Sequence, residues 1–504
     1  MDFDIIVLGS GIGGLTCASR LSKLGYKVGV FEKHYIPGGY ATNFKRKGYN
    51  FDVSLHGIGA LDEGGNTNNI LHHCGVLEKV RPIKNKYAYS INYKNKIVNI
   101  PNDISSYKDL LYSLFPDYIY EINKLFKNID KFKNGYEKFI LSQNKSILNK
   151  AHIDCLIFIK WSEKTTYEVI KSYVDDEEFI QFFTSLWPYY GLPPKQLSSL
   201  YFFIPWISYH YFGKYYIDGG SQNLSNAMVE VIKENNGCIN LKSEITSINY
   251  INNKVNEITL KNGKKFTSKY IVSNINPINT FDMIKQYNLP KSYKNKIHSS
   301  TIGCSLSQLY IGLNCNPSKF NITEEEIFYF DGYSPEENYN LSIKGDYKKC
   351  GFLLTNYNRM DENLNDEDKG VLAITIIDNY DLWSNDKETY KNQKIELTNI
   401  LIDRLEKKFK GIKSHIEVLE LGTPRTMQRY TSNYKGAVYG YSQNVKQAGR
   451  HRLSQITPID NLFLVGAWVN PGGGYEGCIS SGMIVAQKID KIIKHSKKSV
   501  SINE

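Results

Sequence analysis

The sequence predicts an α/β fold, a nucleotide-binding unit of parallel strands and helices joined to a mixed-sheet and helical domain. Three observations predict it. A strand, glycine turn, helix, strand and acid follow one another at the N-terminus, the middle of the chain is helical and aromatic, and a strand runs into a glycine-rich turn and a helix near the C-terminus. The first unit opens on the apolar run Phe3-Asp4-Ile5-Ile6-Val7-Leu8 and turns through Gly9-Ser10-Gly11-Ile12-Gly13-Gly14. Leu15 to Leu21 then has apolar residues at helical spacing, and Tyr26 to Phe31 reads as a second buried strand ending in Glu32 and Lys33. Gly9 serves the tight turn, Gly11 lets backbone approach a pyrophosphate, and Gly14 lets helix pack on strand, with Gly13 between them. The helix N-terminus offers unpaired N–H groups and a positive dipole end to phosphate. Glu32 lies about 20 residues on, where a carboxylate grips a ribose diol.

Gly38-Gly39, Thr42, Gly48 and Phe51-Asp52 follow. This spacing resembles the second glycine motif of the FAD-binding superfamily that holds amine oxidases, phytoene desaturases, carotenoid isomerases and retinol saturases. Ser54 stands where that family has glycine, and Phe51 to Gly59 is most similar to the retinol saturase version, which also carries a histidine at the position of His56. The resemblance implies a Rossmann-like FAD-binding domain of the two-glycine-motif kind, and FAD rather than NAD.

At 504 residues the chain is long enough for two or three domains. Its net charge of +11 comes from Lys and Arg scattered among Asn, Ile and Tyr, with no dense basic block, which argues against a nucleic-acid partner. A basic surface favours anionic membranes, and the basic tail Lys488 to Lys498 is the candidate for peripheral contact. The eight cysteines form no CxxC, so neither a metal site nor a disulfide framework is expected. Without a signal peptide or an apolar run of about 20 residues, a cytoplasmic protein is expected, membrane-associated at most.

Beyond residue 60 the elements follow in order. Tyr87 to Tyr93 and Lys96 to Ile100 alternate with period two, as in a hairpin. From about 105 to 185 the spacing turns helical, as in Tyr107, Leu110, Leu111 and Leu114. Leu197 to Phe212 is the most aromatic stretch, and core, tunnel wall and interfacial patch compete for it. Leu224 to Glu234 reads as a helix capped by Gly237, followed by strands with turns at Asn252-Asn253 and Asn262-Gly263. Tyr270 to Pro277 resembles the VSN-x-x-P turn of phytoene desaturase relatives, in which the residue matching Ile245 lies against the adenine through its backbone. Ser305 to Leu313 and Gly370 to Ile377 read as strands, the charged loop Met360 to Lys369 as a solvated turn, and Tyr390 to Phe409 as a helix. The division expected is 1–100, 212–280 and 415–504 for the FAD-binding domain, and 101–211 with 281–414 for a substrate-binding, helical lid domain.

Gly422-Thr-Pro-Arg-Thr-Met-Gln-Arg-Tyr resembles the GTP-x-T-x-x-R-Y signature of carotenoid isomerases and desaturases. The strand Asn461 to Gly466 leads to Asn470-Pro-Gly-Gly-Gly-Tyr-Glu-Gly-Cys-Ile and a helix from Met483 to Ile493. This is similar to the family's PGGG-x-x-G segment, whose backbone cradles the ribityl chain and pyrimidine edge of the flavin. The resemblance implies cofactor contacts at Gly466, Ala467, Gly474, Gly477, Cys478 and Ile479. Ala467 takes the place of the Asp found in many flavoproteins, and Tyr475-Glu476 that of small or apolar residues in desaturases.

His56 and Glu476 are the candidate proton donors or acceptors, against the alternatives of a structural histidine and a rim carboxylate, and Tyr475 is the candidate to stack on or gate the ring. The function expected is an FAD-dependent oxidoreductase that saturates, desaturates or isomerises double bonds of a hydrophobic polyene or isoprenoid. An FAD-dependent oxidase of an amine, amino-acid-derived or peptide substrate is the first alternative, and a prenyl-protein chaperone of the GDP-dissociation-inhibitor kind the second. No second complete strand–GxGxxG–helix unit is read for a tightly bound NAD(P), so a nicotinamide is expected to react only transiently.

Overall fold

The computed structural model describes residues 1–142, 153–366 and 368–501. Residues 143–152, in the predicted helical stretch, and Glu367, in the predicted charged loop, lie outside the described residues.

β1 (Phe3–Leu8) and β2 (Val28–Phe31) flank α1 (Ile12–Lys23), as the apolar runs predict. β1 is central in a seven-stranded sheet. Cys238–Asn240 pairs with β2, while β3 (Lys265–Ser273) lies parallel to β1 on its other side and pairs through its second half with Leu462–Leu464. These strands are all parallel, so both faces must be covered. Ile5, Ile6, Val7 and Leu8 accordingly have no exposed surface. The hairpin Ile245–Ile251 and Lys254–Leu260 adds an antiparallel extension along the first half of β3.

A second seven-stranded sheet runs in the order Ile416–Gly422, Ser305–Leu313, Gly370–Asp378, Phe352–Asn356, Glu326–Tyr329, Tyr87–Tyr93 and Lys96–Pro101. Its neighbours are antiparallel except Glu326–Tyr329 beside Tyr87–Tyr93. The Tyr87–Pro101 hairpin therefore belongs to this second sheet, although it falls within the 1–100 stretch read with the nucleotide unit. Ile416–Gly422 likewise forms this sheet's other edge from within the 415–504 stretch.

The helical part comprises Ile104–Leu114, Ile119–Ser142, Ile153–Ser162, Thr166–Lys171, Glu177–Phe183 and α2 (Ser199–Phe212). Local chemistry sets several of its starts. Asp103 accepts from Ser106 N, Asp176 accepts from Phe179 N, and Thr165 forms a reciprocal capping box with Glu168. α3 (Ser221–Glu234) ends at Asn235, and Asn236, with φ 61°, takes the left-handed position expected of Gly237. The last helix, α4 (Tyr475–Ser501), begins at Tyr475 rather than Met483, so Tyr475 to Cys478 form its first turn. Among the described residues no helix is long and apolar enough to cross a membrane.

Candidate active site

The two glycine motifs close on each other. Gly9 takes φ 83°, and Gly11 caps α1 with no side-chain hydrogen bond, leaving the helix N-terminus open. Gly38 N donates to the Ser10 carbonyl at 2.9 Å, and a Cβ placed on Gly39 would lie 3.3 Å from Gly11 Cα. A Cβ on Gly13 would lie 2.8 Å from Gly466 N, and one on Gly14 2.6 Å from the Gly9 carbonyl oxygen. Gly13 thus brings the first and last motifs together, while Gly14 packs helix on turn and does not reach the cavity. Asn274 ties the cradle, its Oδ1 accepting from Gly14 N at 3.0 Å.

Glu32 stands at the end of β2, where its Oε2 accepts from Ser10 N and Ser10 Oγ and its Oε1 from His34 N, all within 2.9 Å. Lys33 donates to Ser432 Oγ, and burial pushes its pKa down. Ser243 N donates to the Glu32 carbonyl at 2.7 Å, which sets the start of the Ile245 strand beside the acid. Thr42 is buried and holds the Gly39 carbonyl through its Oγ1 at 3.4 Å.

At the other end Gly466 takes φ 92°, and its N–H donates to Ser481 Oγ at 3.2 Å. Gly474 takes φ 86° just before α4, and a Cβ on Gly477 would lie 2.6 Å from the Gly472 carbonyl oxygen. Cys478 lines the cavity in the first turn of α4, whereas the Ile479 side chain is wholly buried in the apolar core. For Ile479 only the backbone remains as a ligand group.

Of the residues predicted to touch the cofactor, all except Gly14 and Ile479 line one cavity of ≈ 2080 Å³, which continues from the glycine cradle to α2. α2 divides its aromatic residues between two faces. Phe202, Phe203, Trp206 and His210 are buried in the helical core, and Leu200, Tyr201, Ile204, Ser208, Tyr209 and Phe212 line the cavity. The core and tunnel-wall readings of this stretch are therefore both realised, one on each side of one helix.

His56, Tyr475 and Glu476 meet in this cavity. Glu476 Oε1 accepts from Gly59 N at 2.5 Å, and burial raises its pKa against the pull of that N–H and of Lys214. Tyr475 OH meets Ser54 Oγ at 3.0 Å, and Ser54 Oγ donates to the Tyr40 carbonyl at 2.8 Å. His56 Nδ1 lies 3.0 Å from Thr355 Oγ1 and 3.4 Å from Glu326 Oε1. Behind it Glu326 pairs with Lys214, each with 1% of its side chain exposed, and Tyr189 OH also donates to Glu326. The Lys214 ammonium lies 5.5 Å and 5.7 Å from the Tyr189 and Tyr209 ring centres. Burial favours a neutral Glu326, but Lys214 first and His56 next outweigh it and hold its pKa below the ordinary carboxylate value.

Sequence reasoning missed Lys214, Glu326 and Arg452. Arg452 is buried and donates to the Ala467, Tyr439 and Tyr441 carbonyls at 2.6 Å, 2.8 Å and 2.7 Å, fixing the loop after Gly466. Lys214 left one signal, a lone ammonium in the apolar run Tyr209 to Ile217. Glu326 left none, since it follows Glu324 and Glu325 in what reads as a solvated acidic turn.

The cradle fits a flavin dinucleotide: an open helix N-terminus, glycines whose side chains would fill the gap, and a carboxylate at the strand end. A cradle of this kind opening into a large apolar cavity defines a flavin-dependent oxidoreductase. The chain belongs to the flavin containing amine oxidoreductase family, whose profile matches residues 12–490. It is 25% identical to the chloroplastic prolycopene isomerase of Daucus carota, over 99% of this chain and 82% of that one. It is 24% identical to the 4,4'-diapophytoene desaturase of a Methylomonas species, over 96% and 95%, and 23% identical to the all-trans-retinol 13,14-reductase of Danio rerio, over 97% and 86%. Among solved structures, an oxidoreductase from Methanosarcina mazei shares the fold with a TM-score of 0.63 at 19% identity, over 96% of this chain and 99% of that one. A putrescine oxidase does so with 0.62 at 12% identity, over 97% and 99%.

Proposed function

We propose that this oxidoreductase binds FAD and acts on a carbon–carbon double bond of a hydrophobic polyene or isoprenoid, by saturation, desaturation or isomerisation. The observation that carries the reading is the continuity of one cavity from the glycine cradle, past His56 and Glu476, to the apolar face of α2. Pockets for small ligands commonly span about 300–1,000 Å³. A cavity of ≈ 2080 Å³ has room for a dinucleotide and a second, elongated ligand together. The relatives named for prolycopene, diapophytoene and retinol support the same class.

When bound, the flavin supplies hydride transfer at its N5. The chain supplies the rest. The glycine motifs and the α1 and α4 N-termini hold and orient the dinucleotide through backbone N–H groups. Leu200, Ile204 and Phe212 align an apolar chain and exclude water. Glu476, whose carboxyl burial favours in the neutral form, and His56 through Nε2 hold the proton that a double-bond reaction must add or remove. A nicotinamide enters this scheme only as a transient reductant.

The amine-oxidase reading wants an aromatic cage for a substrate cation. Lys214 counts against it, because its own ammonium already lies over Tyr189 and Tyr209. The test is to purify the protein with its flavin, confirm the visible flavin bands, and incubate it anaerobically with cis and all-trans polyenes, with and without NADPH. A polyene of changed geometry or saturation supports the proposal. Hydrogen peroxide formed with an amine in air, and no change in any polyene, overturns it.

A further inference from the structure

Behind His56 lies a buried ion pair that the scheme above does not use. Lys214 enters on the strand Lys214–Ile217 and Glu326 on Glu326–Tyr329, and the two side chains meet with 1% exposure each. Lys214 Nζ also donates to the Ala88 carbonyl at 2.9 Å. The free side of Gly57 is filled by the Lys214 stem, so the turn that carries His56 is shaped to let the lysine pass. A buried pair of this kind is no great source of stability, since well-packed apolar groups often replace one at no loss. What it does provide is a fixed negative charge beside the Nδ1 edge of His56.

Aromatic rings flank the His56 imidazole, and its Nδ1 edge has a second partner. Tyr189 and Tyr357 stack on its ring at 6.0 Å and 6.3 Å, and Thr355 Oγ1 meets Nδ1 at 3.0 Å. Glu326, Lys214, Tyr189 and Tyr357 are the titratable groups facing the ring, and Glu476 lies within electrostatic reach of Lys214. Nε2 sits on the opposite edge of the imidazole from Nδ1, and among the described residues no hydrogen-bonding partner meets it, while His56 lines the cavity. We infer that Glu326 and Lys214 are positioning residues for His56: the lysine pairs with the glutamate carboxylate, the carboxylate accepts a hydrogen bond from Nδ1–H, and Nε2 is left as the atom that exchanges a proton with a ligand in the cavity. The inference rests on the double-bond reading above for its use, but not for its geometry.

The tautomer is the direct readout, because neutral histidine in water prefers the proton on Nε2, and an ionised acceptor at Nδ1 reverses that preference. The flavin-loaded full-length protein is labelled with ¹⁵N-histidine, and the His56 signals are assigned by their loss in His56→Asn. Long-range ¹H–¹⁵N spectra of the neutral form are expected to show a protonated Nδ1 and an unprotonated Nε2. Glu326→Gln/Lys214→Met replaces the pair by neutral groups of similar size, and it is expected to move the proton to Nε2. Glu326→Asp, which keeps the charge, is expected to retain the wild-type tautomer, as is Thr355→Val, which removes only the neutral partner. With a polyene that turns over, the double variant is expected to lower kcat at least about tenfold, a part of the roughly 10²–10⁴-fold that a general acid–base group contributes, with KM little changed. An Nε2-protonated His56 in the wild type, or the same tautomer in wild type and double variant, overturns the inference. These spectra need no substrate, so an absence of polyene turnover would count against the proposed function alone.

Discussion

The Tyr475 hydroxyl reaches the Ser54 hydroxyl at 3.0 Å, and Ser54 in turn donates to the Tyr40 carbonyl at 2.8 Å. Ser54 stands where the resembled family has glycine, and Tyr475 where desaturases have small or apolar residues. The two departures are one feature, a hydroxyl pair that pins an aromatic ring at the start of α4. Ser54→Gly is expected to destabilise the fold by about 1 kcal/mol, because it removes one of the two hydroxyls, Ser54 and Ser221, that meet the Tyr475 hydroxyl in a desolvated site. Tyr475→Phe removes the need for a partner, so Ser54→Gly/Tyr475→Phe should lose less than the sum of the single changes by roughly 1 kcal/mol in urea unfolding. Additive losses would separate the two residues. Glu326 gives a pH prediction. Its folded pKa is lowered, so its stabilisation is complete above the ordinary carboxylate range and lost as pH falls through the folded value. Unfolding free energy from about pH 5 to pH 3 should therefore fall more steeply in the wild type than in Glu326→Gln/Lys214→Met. Parallel curves would mean that the pair confers no pH-dependent stability. At this scale motif residues such as Gly9, Glu32 and Gly39 were readable, because each sits at a fixed distance from a strand end. Lys214 and Glu326 were not, since strands far apart in sequence bring them together.

Helix α4 presses Gly482 onto α1, where a Cβ would touch the Gly13 carbonyl oxygen and lie 2.9 Å from Thr16 Cβ and 3.0 Å from Cys17 N. This crossing sets both helix N-termini against the cavity. Gly482→Val should force the helices apart, costing about 1–3 kcal/mol from overpacking, and should weaken flavin retention because two of its backbone donor sets move together. The check is the ratio of flavin absorbance to protein absorbance after gel filtration, beside the urea midpoint. Full flavin retention with lowered stability would mean that the crossing is structural only. The start of α4 was misread because Gly474 and Gly477 argue locally for a loop, while packing of Gly477 against the Gly472 carbonyl lets the helix begin at Tyr475. α2 shows the opposite limit. Aromatic and aliphatic residues all round the helix leave no polar face to mark its orientation, and only the tertiary structure assigns Trp206 to the core and Tyr209 to the cavity.

At the scale of the whole molecule, the parallel sheet carries the cradle, and the second sheet and the helices enclose the space beyond it. The parallel strands themselves were legible from apolar runs and glycine turns, whereas their spatial order, which places Cys238–Asn240 at the edge beside β2, is set by the assembled sheet. The membership of the Tyr87–Pro101 hairpin was not, because a two-stranded ribbon bears no mark of the sheet it will join, and its parallel partner Glu326–Tyr329 is remote in the chain. That hairpin and α2 bring Ala88 and Tyr209 around Lys214, so the division of the cavity wall is a property of the assembled fold. A wall of this kind predicts how affinity depends on ligand length. Each methylene moved from water onto apolar surface contributes about 0.8 kcal/mol, or roughly a fourfold gain in affinity. With the flavin bound, dissociation constants for a series of isoprenoid alcohols of rising length, read by quenching of flavin fluorescence, should fall with each added unit and then level off once the chain is longer than the apolar wall. Ile204→Trp, on the cavity face of α2, should bring the plateau to shorter chains, whereas Phe203→Ala, on the core face, should lower stability and leave the plateau in place. Affinity independent of length in the wild type would mean that the apolar wall serves packing alone, and the double-bond substrate would then have to be sought among small, compact molecules.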